Sequence, residues 1–301
     1  MRKKILITGA TGWIGRHVLD ELKSKDFEVH ALTSRSTPPY DGFVHWHTVD
    51  LHDHAKVNKF VADLKASHLL HLAWYVEHGQ FWTSPQNLIW VESSINLVRA
   101  FVESGGERVI AAGTCAEYAW NKQEYDETSA LFEPKTFYGV CKRALHQVLE
   151  AYCKQAKVSF AWGYVFHIFG PGENSRRFVP QVINALFNAR TQACSTGTQY
   201  RDFIYVKDLA RAFVELTSSS VQGGINLATG HGITLKEIGL KIAEKMESQK
   251  ELLLFDQLPC AKNDPEWLVA KTSRLKDDLH WTPRYTLDEA LQETIDWWKK
   301  Q

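Results

Sequence analysis

Short apolar runs alternate with longer segments of helical period along the first half of this chain. Residues 4–8, 28–32, 45–48, 68–72, 108–112 and 158–165 read as strands. Between them, 16–25, 54–66, 88–104 and 138–156 repeat apolar positions at the spacing of a helix face. Strands that alternate with helices build a parallel sheet covered on both faces, so the pattern predicts an α/β fold. From about residue 170 the rhythm changes, and helices are predicted over 178–189, 206–218, 235–245 and 287–300. The chain therefore divides into a sheet domain, 1–170, and a smaller lobe, 171–301, with about 202–226 passing back onto the sheet. No internal repeat or low-complexity linker interrupts either part.

The first strand runs straight into Gly9-Ala10-Thr11-Gly12-Trp13-Ile14-Gly15, three glycines spaced three apart. Gly9 permits a tight turn off the strand, Gly12 lets the backbone approach a pyrophosphate, and Gly15 lets the next helix pack closely. An anion would sit on the helix N-terminus, where N–H groups are free, with Thr11, Trp13 and Ile14 in the same turn. Glycine-rich turns also exist without ligands, but a strand before and a helix after make this one a candidate dinucleotide site.

Tyr138 and Lys142 lie four residues apart, ahead of a helical pattern through Leu145, Val148 and Leu149, so they share a helix face. An ammonium beside a phenol favours the phenolate, which lets a tyrosine exchange a proton with a carbonyl or alcohol near neutral pH. In isolation such a pair is an ordinary surface pair. Its meaning comes from order: the glycine turn, then 111–118 with Thr114, then Tyr138 and Lys142.

Together these features resemble the extended short-chain dehydrogenase/reductase family, and within it the NAD(P)-dependent epimerase/dehydratase group that acts on nucleotide-linked sugars. The resemblance spans almost the whole chain. It takes in His71-Leu72-Ala73, Thr114 in the place of the catalytic Ser/Thr, Phe169-Gly170-Pro171-Gly172-Glu173, and the run from Arg201 through Asp202, Tyr205 and Asp208 to Ala210. It implies a Rossmann-like sheet with a substrate-binding C-terminal lobe, and a catalytic set of Thr114, Tyr138 and Lys142. In that set Tyr138 gives a proton to a carbonyl oxygen, Thr114 hydrogen-bonds the developing alkoxide, and Lys142 lowers the phenol pKa and binds the nicotinamide ribose. Further cofactor contacts are implied at Leu72, Ala73 and Phe166, with Asp50 and Leu51 beside the adenine. A nucleoside-diphosphate sugar would meet Thr114, Cys115, Ala116, Tyr138, His167, Arg177, Val179 and Arg201. The helices over 88–104 and 138–156 carry apolar residues on more than one face, and the matching helices of the family pair across a two-fold axis, so a homodimer is expected.

Departures from the family pattern shape the expected reaction. The second strand ends Leu32-Thr33-Ser34-Arg35 with no acid to accept from a ribose 2′-hydroxyl, and Ser34 with Arg35 suits a 2′-phosphate. NADPH is therefore expected ahead of NAD, with Arg35 as a solvated loop charge the other reading. Cys115 and Ala116 stand where 4,6-dehydratases carry Asp and Glu, which removes the acid and base of water elimination. Glu117 follows one residue later, where strand alternation would point it elsewhere. The stretch 113–120, with Asn121 and Glu124 after it, looks most like 4-keto-6-deoxyhexose reductases. The expected activity is thus NADPH-dependent reduction of a nucleotide-linked 4-keto-6-deoxy sugar. An NAD-dependent 4-epimerase, which shares nearly every catalytic residue, is the alternative, and a non-catalytic NADP-binding regulator the second. Tyr164 replaces an Arg of much of that subgroup, and His167 is either a substrate contact or a buried imidazole. Arg201 fits a diphosphate clamp, Arg177 either that or a solvated helix end, and Asp208 a structural role.

Composition narrows the remaining classes. The 301 residues carry 35 Lys plus Arg against 35 Asp plus Glu, so no global polycation invites nucleic acid. Five cysteines form no C-x-x-C or regular framework, as in a reducing, cytoplasmic chain, and no metal site is expected. Cys115 and Cys141 are assigned no nucleophilic role. No apolar run is long enough for a membrane, and Met1-Arg2-Lys3-Lys4 leads at once into the first strand rather than into a signal sequence. The surplus of aromatics, eleven Trp among them, is assigned to packing, with Trp267, Trp281, Trp297 and Trp298 as anchors.

Overall fold

The computed structural model describes residues 2–34, 42–120, 125–260 and 264–301. In chain order the strands are β1 (Lys3–Thr8), β2 (Phe27–Thr33), β3 (Val44–Thr48), β4 (His68–His71), β5 (Arg108–Thr114), β6 (Ser159–Val165), β7 (His167–Phe169), β8 (Gln192–Ala193), β9 (Tyr200–Tyr205), β10 (Gly223–Leu227), β11 (Gly232–Thr234), β12 (Leu253–Leu254) and β13 (Trp267–Leu268). The helices are α1 (Trp13–Leu22), α2 (His54–Leu64), α3 (Gln86–Glu103), α4 (Phe137–Ala156), α5 (Phe178–Phe187), α6 (Val206–Ser218), α7 (Leu235–Lys245), α8 (Ser273–Asp277) and α9 (Leu287–Trp298).

Seven parallel strands form the main sheet in the order β10-β6-β5-β4-β1-β2-β3. The α/β fold predicted from alternating patterns is what forms, a Rossmann-like sheet with helices on both faces. Val57 and Val61 of α2, Leu97 and Phe101 of α3 and Leu145 and Leu149 of α4 cover one face. Val18 and Leu22 of α1 with Leu209 and Phe213 of α6 cover the other. The strand order reverses between β1 and β4, and there the crevice outside the strands' carboxyl ends is the place where such sheets bind ligands.

A second sheet places β9 between β11 and β13, and β7 also pairs with β9. Phe169, Phe203 and Tyr205 of this sheet pack with Val182 of α5, Ile238 and Ile242 of α7, and Leu291 and Ile295 of α9. These strands escape a pattern search because several are two or three residues long and because β9 opens on charge. Asp202 is fully buried, its carboxylate accepting from Thr229 N at 2.8 Å, Thr229 Oγ1 at 2.6 Å and Gly230 N at 2.8 Å. Helix ends differ from the periodic pattern where the backbone turns left-handed: α2 stops before Lys65 at φ 51° and α5 before Ala189 at φ 49°. Trp281 is buried, whereas Trp267 lies partly exposed against Tyr200.

Candidate active site

The glycine turn closes the carboxyl end of β1 against the segment that follows β4. Gly9 sits at φ +74°, and a Cβ on it would come within 2.7 Å of Ala73 N. A Cβ on Gly15 would lie 2.1 Å from Gly9 O, so α1 leaves the turn as closely as backbones allow. Gly12, the N-cap of α1, provides no side-chain hydrogen bond, which leaves the first helical N–H groups for an anion. The cradle that side chains would fill, and the uncapped helix behind it, fit the pyrophosphate of a dinucleotide. Thr11 and Ile14 are partly buried in the same turn, and Trp13 Nε1 donates to Pro171 O at 2.7 Å.

His71 straps the crevice together. Its Nδ1 lies 2.6 Å from Thr8 Oγ1 and its Nε2 2.8 Å from Ser94 Oγ, and burial pushes its pKa down to about 3, so the ring stays neutral. Leu72 and Ala73 follow directly, with Ala73 N donating to Thr8 Oγ1 at 3.3 Å. At the outer end Ser34 is exposed after β2, Leu51 is buried after β3, and Asp50 accepts from His52 N at 2.9 Å. Phe166 is buried between β6 and β7. Arg35 lies outside the described residues, as do Asn121 and Glu124.

Thr114 ends β5 and opens a single 3₁₀ turn, Cys115–Glu117. Its Oγ1 accepts from Ala116 N at 3.2 Å, and Glu117 Oε1 accepts from Thr114 N at 2.9 Å, a reciprocal capping box. Strand alternation therefore does not govern Glu117, because the strand has already ended and the turn folds the carboxylate back beneath Thr114. The spacing Thr114-x-x-Glu117 was the sequence signal for this. Thr136 caps α4 by accepting from Gly139 N at 3.0 Å, and the helix brings Tyr138 and Lys142, both buried, beside Thr114.

Tyr138 is ringed by Trp74, Phe81 and Trp82 at centroid distances of 6.4, 4.9 and 5.8 Å, and Thr114 is near enough to favour its phenolate. Lys142 Nζ donates to Ala112 O at 2.9 Å and lies 3.8 Å from the centre of the Trp74 ring. Burial raises the phenol pKa, against the smaller downward pulls of Thr114 and Arg177. The expected lowering by Lys142 is thus not met in this structure, because stripping water from a phenolate outweighs the nearby charge. Burial pushes Lys142 down and Glu117 partly holds it up. The Cys115 thiol is pushed up to about 12 by burial, which leaves it protonated and unreactive at neutral pH.

On the lobe side, His167 Nδ1 is buried without a hydrogen-bond partner, and burial with Arg201 and Arg177 keeps the ring neutral. Arg177 stands at the N-cap position of α5 without a side-chain capping bond and pairs through Nε with Glu173 Oε1 at 3.0 Å. Arg201 is buried, donating to Asp264 Oδ1 at 2.6 Å, Tyr200 O at 2.8 Å and Pro265 O at 2.7 Å. Asp264, which no motif pointed to, thus competes for the guanidinium that a diphosphate would need. Arg177 acts electrostatically on Tyr138 and Arg201 on Cys115, and both act on His167, so these residues lie within electrostatic reach of one another. Ala116 is buried in the turn after Thr114, while Val179 lies in the core of the lobe. Asp208 accepts from Arg284 N at 2.8 Å and Tyr285 N at 3.2 Å, fixing the loop before α9. A separate cavity of about 760 Å³ opens between the second sheet, α7 and α9, lined by Phe203, Tyr205, Lys241 and Tyr285, and does not include Thr114, Tyr138 or Lys142. Among the described residues no cluster of His, Cys, Asp or Glu is arranged to hold a metal ion, and no helix is long and apolar enough to cross a membrane.

Known proteins match this arrangement along its length. The chain is 26% identical over 323 residues to a UDP-glucose 4-epimerase of Rhizobium leguminosarum bv. trifolii, covering 98% of this chain and 97% of the relative. It superposes with a TM-score of 0.89 on UDP-N-acetylglucosamine 4-epimerase from Methanobrevibacter ruminantium M1, solved in complex with UDP-N-acetylmuramic acid, at 25% identity over 99% of each chain. Against MoeE5 in complex with UDP-glucuronic acid and NAD, the TM-score is 0.85 at 26% identity, again over 99% of each chain. The NAD of that complex overturns the expectation of NADPH. The lack of an acid at the end of β2 says only what does not accept from the ribose, and leaves hydroxyls such as that of Ser34 and backbone groups to do so. The ketoreductase assignment falls with it, since epimerases align over the entire chain and the catalytic set was common to both readings. The sequence profile of the NAD dependent epimerase/dehydratase family matches residues 5–228, and the chain belongs to that family.

Proposed function

We propose that this protein is an NAD-dependent 4-epimerase of a nucleotide-linked sugar. The observation that carries the reading is the convergence of Thr114, Tyr138 and Lys142 at the end of β5, facing a glycine turn shaped for a dinucleotide, while Cys115 and Ala116 offer no acid or base for elimination. The NAD in the MoeE5 complex and the 4-epimerases among the relatives support it. Bound NAD would be held by the turn Gly9–Gly15, by Leu72, Ala73 and Phe166, by Ser34, Asp50 and Leu51 at the adenosine end, and by Lys142; it supplies a reversible two-electron acceptor. Tyr138 takes the proton of the sugar hydroxyl as that carbon is oxidised to a ketone, and returns it after the sugar has turned its other face. Thr114 donates to the same oxygen, where negative charge develops. Arg177 supplies positive charge that opposes the effect of burial on Tyr138.

The nucleoside diphosphate occupies the lobe side, with His167, Arg177 and Arg201 as its polar contacts and the lobe 171–301 as its principal support. Arg201 exchanges Asp264 for a phosphate when substrate enters. A homodimer forms through α3 and α4, on which Leu88, Ile89, Val140 and Val148 are exposed apolar residues. The free thiols of all five cysteines fit a cytoplasmic setting. The test is incubation of purified protein with UDP-glucose, UDP-N-acetylglucosamine and their 4-epimers, with the sugar products separated and cofactor absorbance followed. Interconversion of an epimer pair with no net change in cofactor is expected. Stoichiometric consumption of a reduced cofactor, or no interconversion of any nucleotide sugar, overturns it.

A further inference from the structure

Glu117 is the buried acid that the mechanism above leaves unused. It has no solvent exposure, and its Oε1 accepts from both Thr114 N at 2.9 Å and Trp162 Nε1 at 3.0 Å. Its Oε2 is equally buried and has no hydrogen-bond partner. An ionised carboxylate in that position is costly unless a cation balances it. The groups that face it are few. From α4 come Tyr138, Lys142, Arg143 and His146; from β6, Trp162 and Tyr164; and from its own turn and the strand before it, Tyr118 and Thr114. His146 Nδ1 lies 3.9 Å from Oε2, but burial holds that ring neutral, and it is engaged by Arg143 Nη1 at 3.1 Å and Tyr164 OH at 3.0 Å. Glu150, half exposed, stands 3.9 Å from the far nitrogen of His146. Arg143 is spent on His146, on Tyr164 OH at 3.1 Å and on the face of Phe132. Lys142 donates to Ala112 O and lies 3.8 Å from the centre of the Trp74 ring and 5.7 Å from that of Trp162, whose Nε1 donates to Glu117; His71 of β4, its other titratable neighbour, is held neutral by burial, and Glu117 is the group that opposes the loss of charge on Lys142.

We propose that Glu117 is a positioning residue whose carboxylate fixes the backbone of Thr114 and supplies the counter-charge that keeps Lys142 an ammonium ion inside the site. The inference builds on the catalytic roles proposed above for Thr114 and Lys142. Burial pushes Glu117 up to about 7 and Lys142 down, each charge opposes the shift of the other, and Glu117, with no exposed surface, acts without touching substrate.

The experiment is a lysine titration by NMR on protein with 13C at Lys Cε, the Lys142 signal being assigned with Lys142→Met. Glu117→Gln keeps an acceptor for Thr114 N and Trp162 Nε1 and removes only the charge, so Lys142 should titrate at least about one pH unit lower, a tenfold change in its proton affinity. Glu117→Asp should restore most of the difference. If epimerisation is present, Glu117→Gln should lower kcat about tenfold at pH 8 with KM little changed, and the alkaline limb of the profile should move to lower pH. An unchanged Lys142 midpoint in folded Glu117→Gln overturns the proposal, as does a loss of kcat with an unmoved pH profile. Should Glu117→Gln not fold, Lys142→Met gives the converse measurement: a carboxylic-acid band from Glu117 should appear in the infrared spectrum at neutral pH, and its absence overturns the proposal. The titration needs no sugar, so a protein that shows the shift but epimerises nothing refutes only the assigned reaction.

Discussion

Gly15→Ala sets two structural effects of opposite sign against each other. Alanine is favoured over glycine inside a helix by about 1 kcal/mol, and Gly15 is the third residue of α1, so helix propensity alone predicts stabilisation. The tertiary contact predicts the reverse. The added Cβ would lie 2.1 Å from Gly9 O, 2.6 Å from Ala10 Cα and 2.8 Å from Gly9 C, all of them backbone atoms of the turn. Non-bonded carbon atoms settle near about 3.5–4 Å, so α1 has to retreat by roughly 1 Å from the turn it caps. Overpacking of this kind costs about 1–3 kcal/mol, and with rigid backbone on one side the upper part of that range applies. Net destabilisation of about 1–2 kcal/mol is the expected result. The same retreat moves the α1 N–H groups away from the pyrophosphate, so NAD affinity should fall about tenfold or more, equivalent to about 1.4 kcal/mol. Gly239→Ala in α7 is the control, because its Cβ would meet side-chain ends alone, Leu253 at 3.3 Å and Phe255 and Phe178 at 3.6 and 3.7 Å, and propensity should then leave it neutral or more stable. Urea unfolding midpoints and NAD titration by tryptophan fluorescence measure both variants. A Gly15→Ala protein as stable as wild type with undiminished NAD affinity would refute the packing argument, and so would equal shifts in the two variants.

Tyr138→Phe should lower epimerase turnover by at least about a hundredfold while leaving NAD affinity nearly unchanged, because the lost hydroxyl acts on the reacting proton; equal turnover in steady-state assays would remove Tyr138 from the mechanism. His68, His71 and His146 are held at about 4, 3 and 3 by burial, against 6.5 when exposed. The unfolded chain binds more protons between those values, so their contribution is complete above pH 6.5 and is lost as pH falls toward the folded values, at about 1.4 kcal/mol per pH unit each. Glu173, raised to about 8 by burial, works in the opposite sense over part of that window. Urea midpoints at pH 7 and 5 should therefore drop less for His146→Phe than for wild type, and identical drops would contradict the burial argument. Sedimentation equilibrium should show a dimer for the wild type and a monomer for Val148→Asp, which charges the exposed apolar stripe of α4; one mass for both would place any interface elsewhere.

Local sequence determined the alternation of strands and helices, and with it the parallel sheet, because periods of two and of 3.6 residues are written in neighbouring positions. It also determined the glycine turn, where Gly9 and Gly15 are required by backbone geometry within a dozen residues, and the shared helix face of Tyr138 and Lys142. The second sheet was not legible. Its central strand begins Tyr200-Arg201-Asp202, and those charges are buried only because Asp264, Thr229, Gly230 and Ala270 arrive from distant segments to satisfy them. The direction of Glu117 escapes strand alternation for a related reason: alternation along a strand holds only while pairing with the next strand continues, and β5 stops at Thr114. One loop cation and a missing acid do not fix cofactor preference against the backbone and hydroxyl groups that line such a crevice. The state of Tyr138 was likewise beyond the sequence. Four residues of spacing bring an ammonium near a phenol, but how much water each keeps depends on Trp74, Phe81 and Trp82 closing over them, and burial is a property of the folded neighbourhood rather than of any segment.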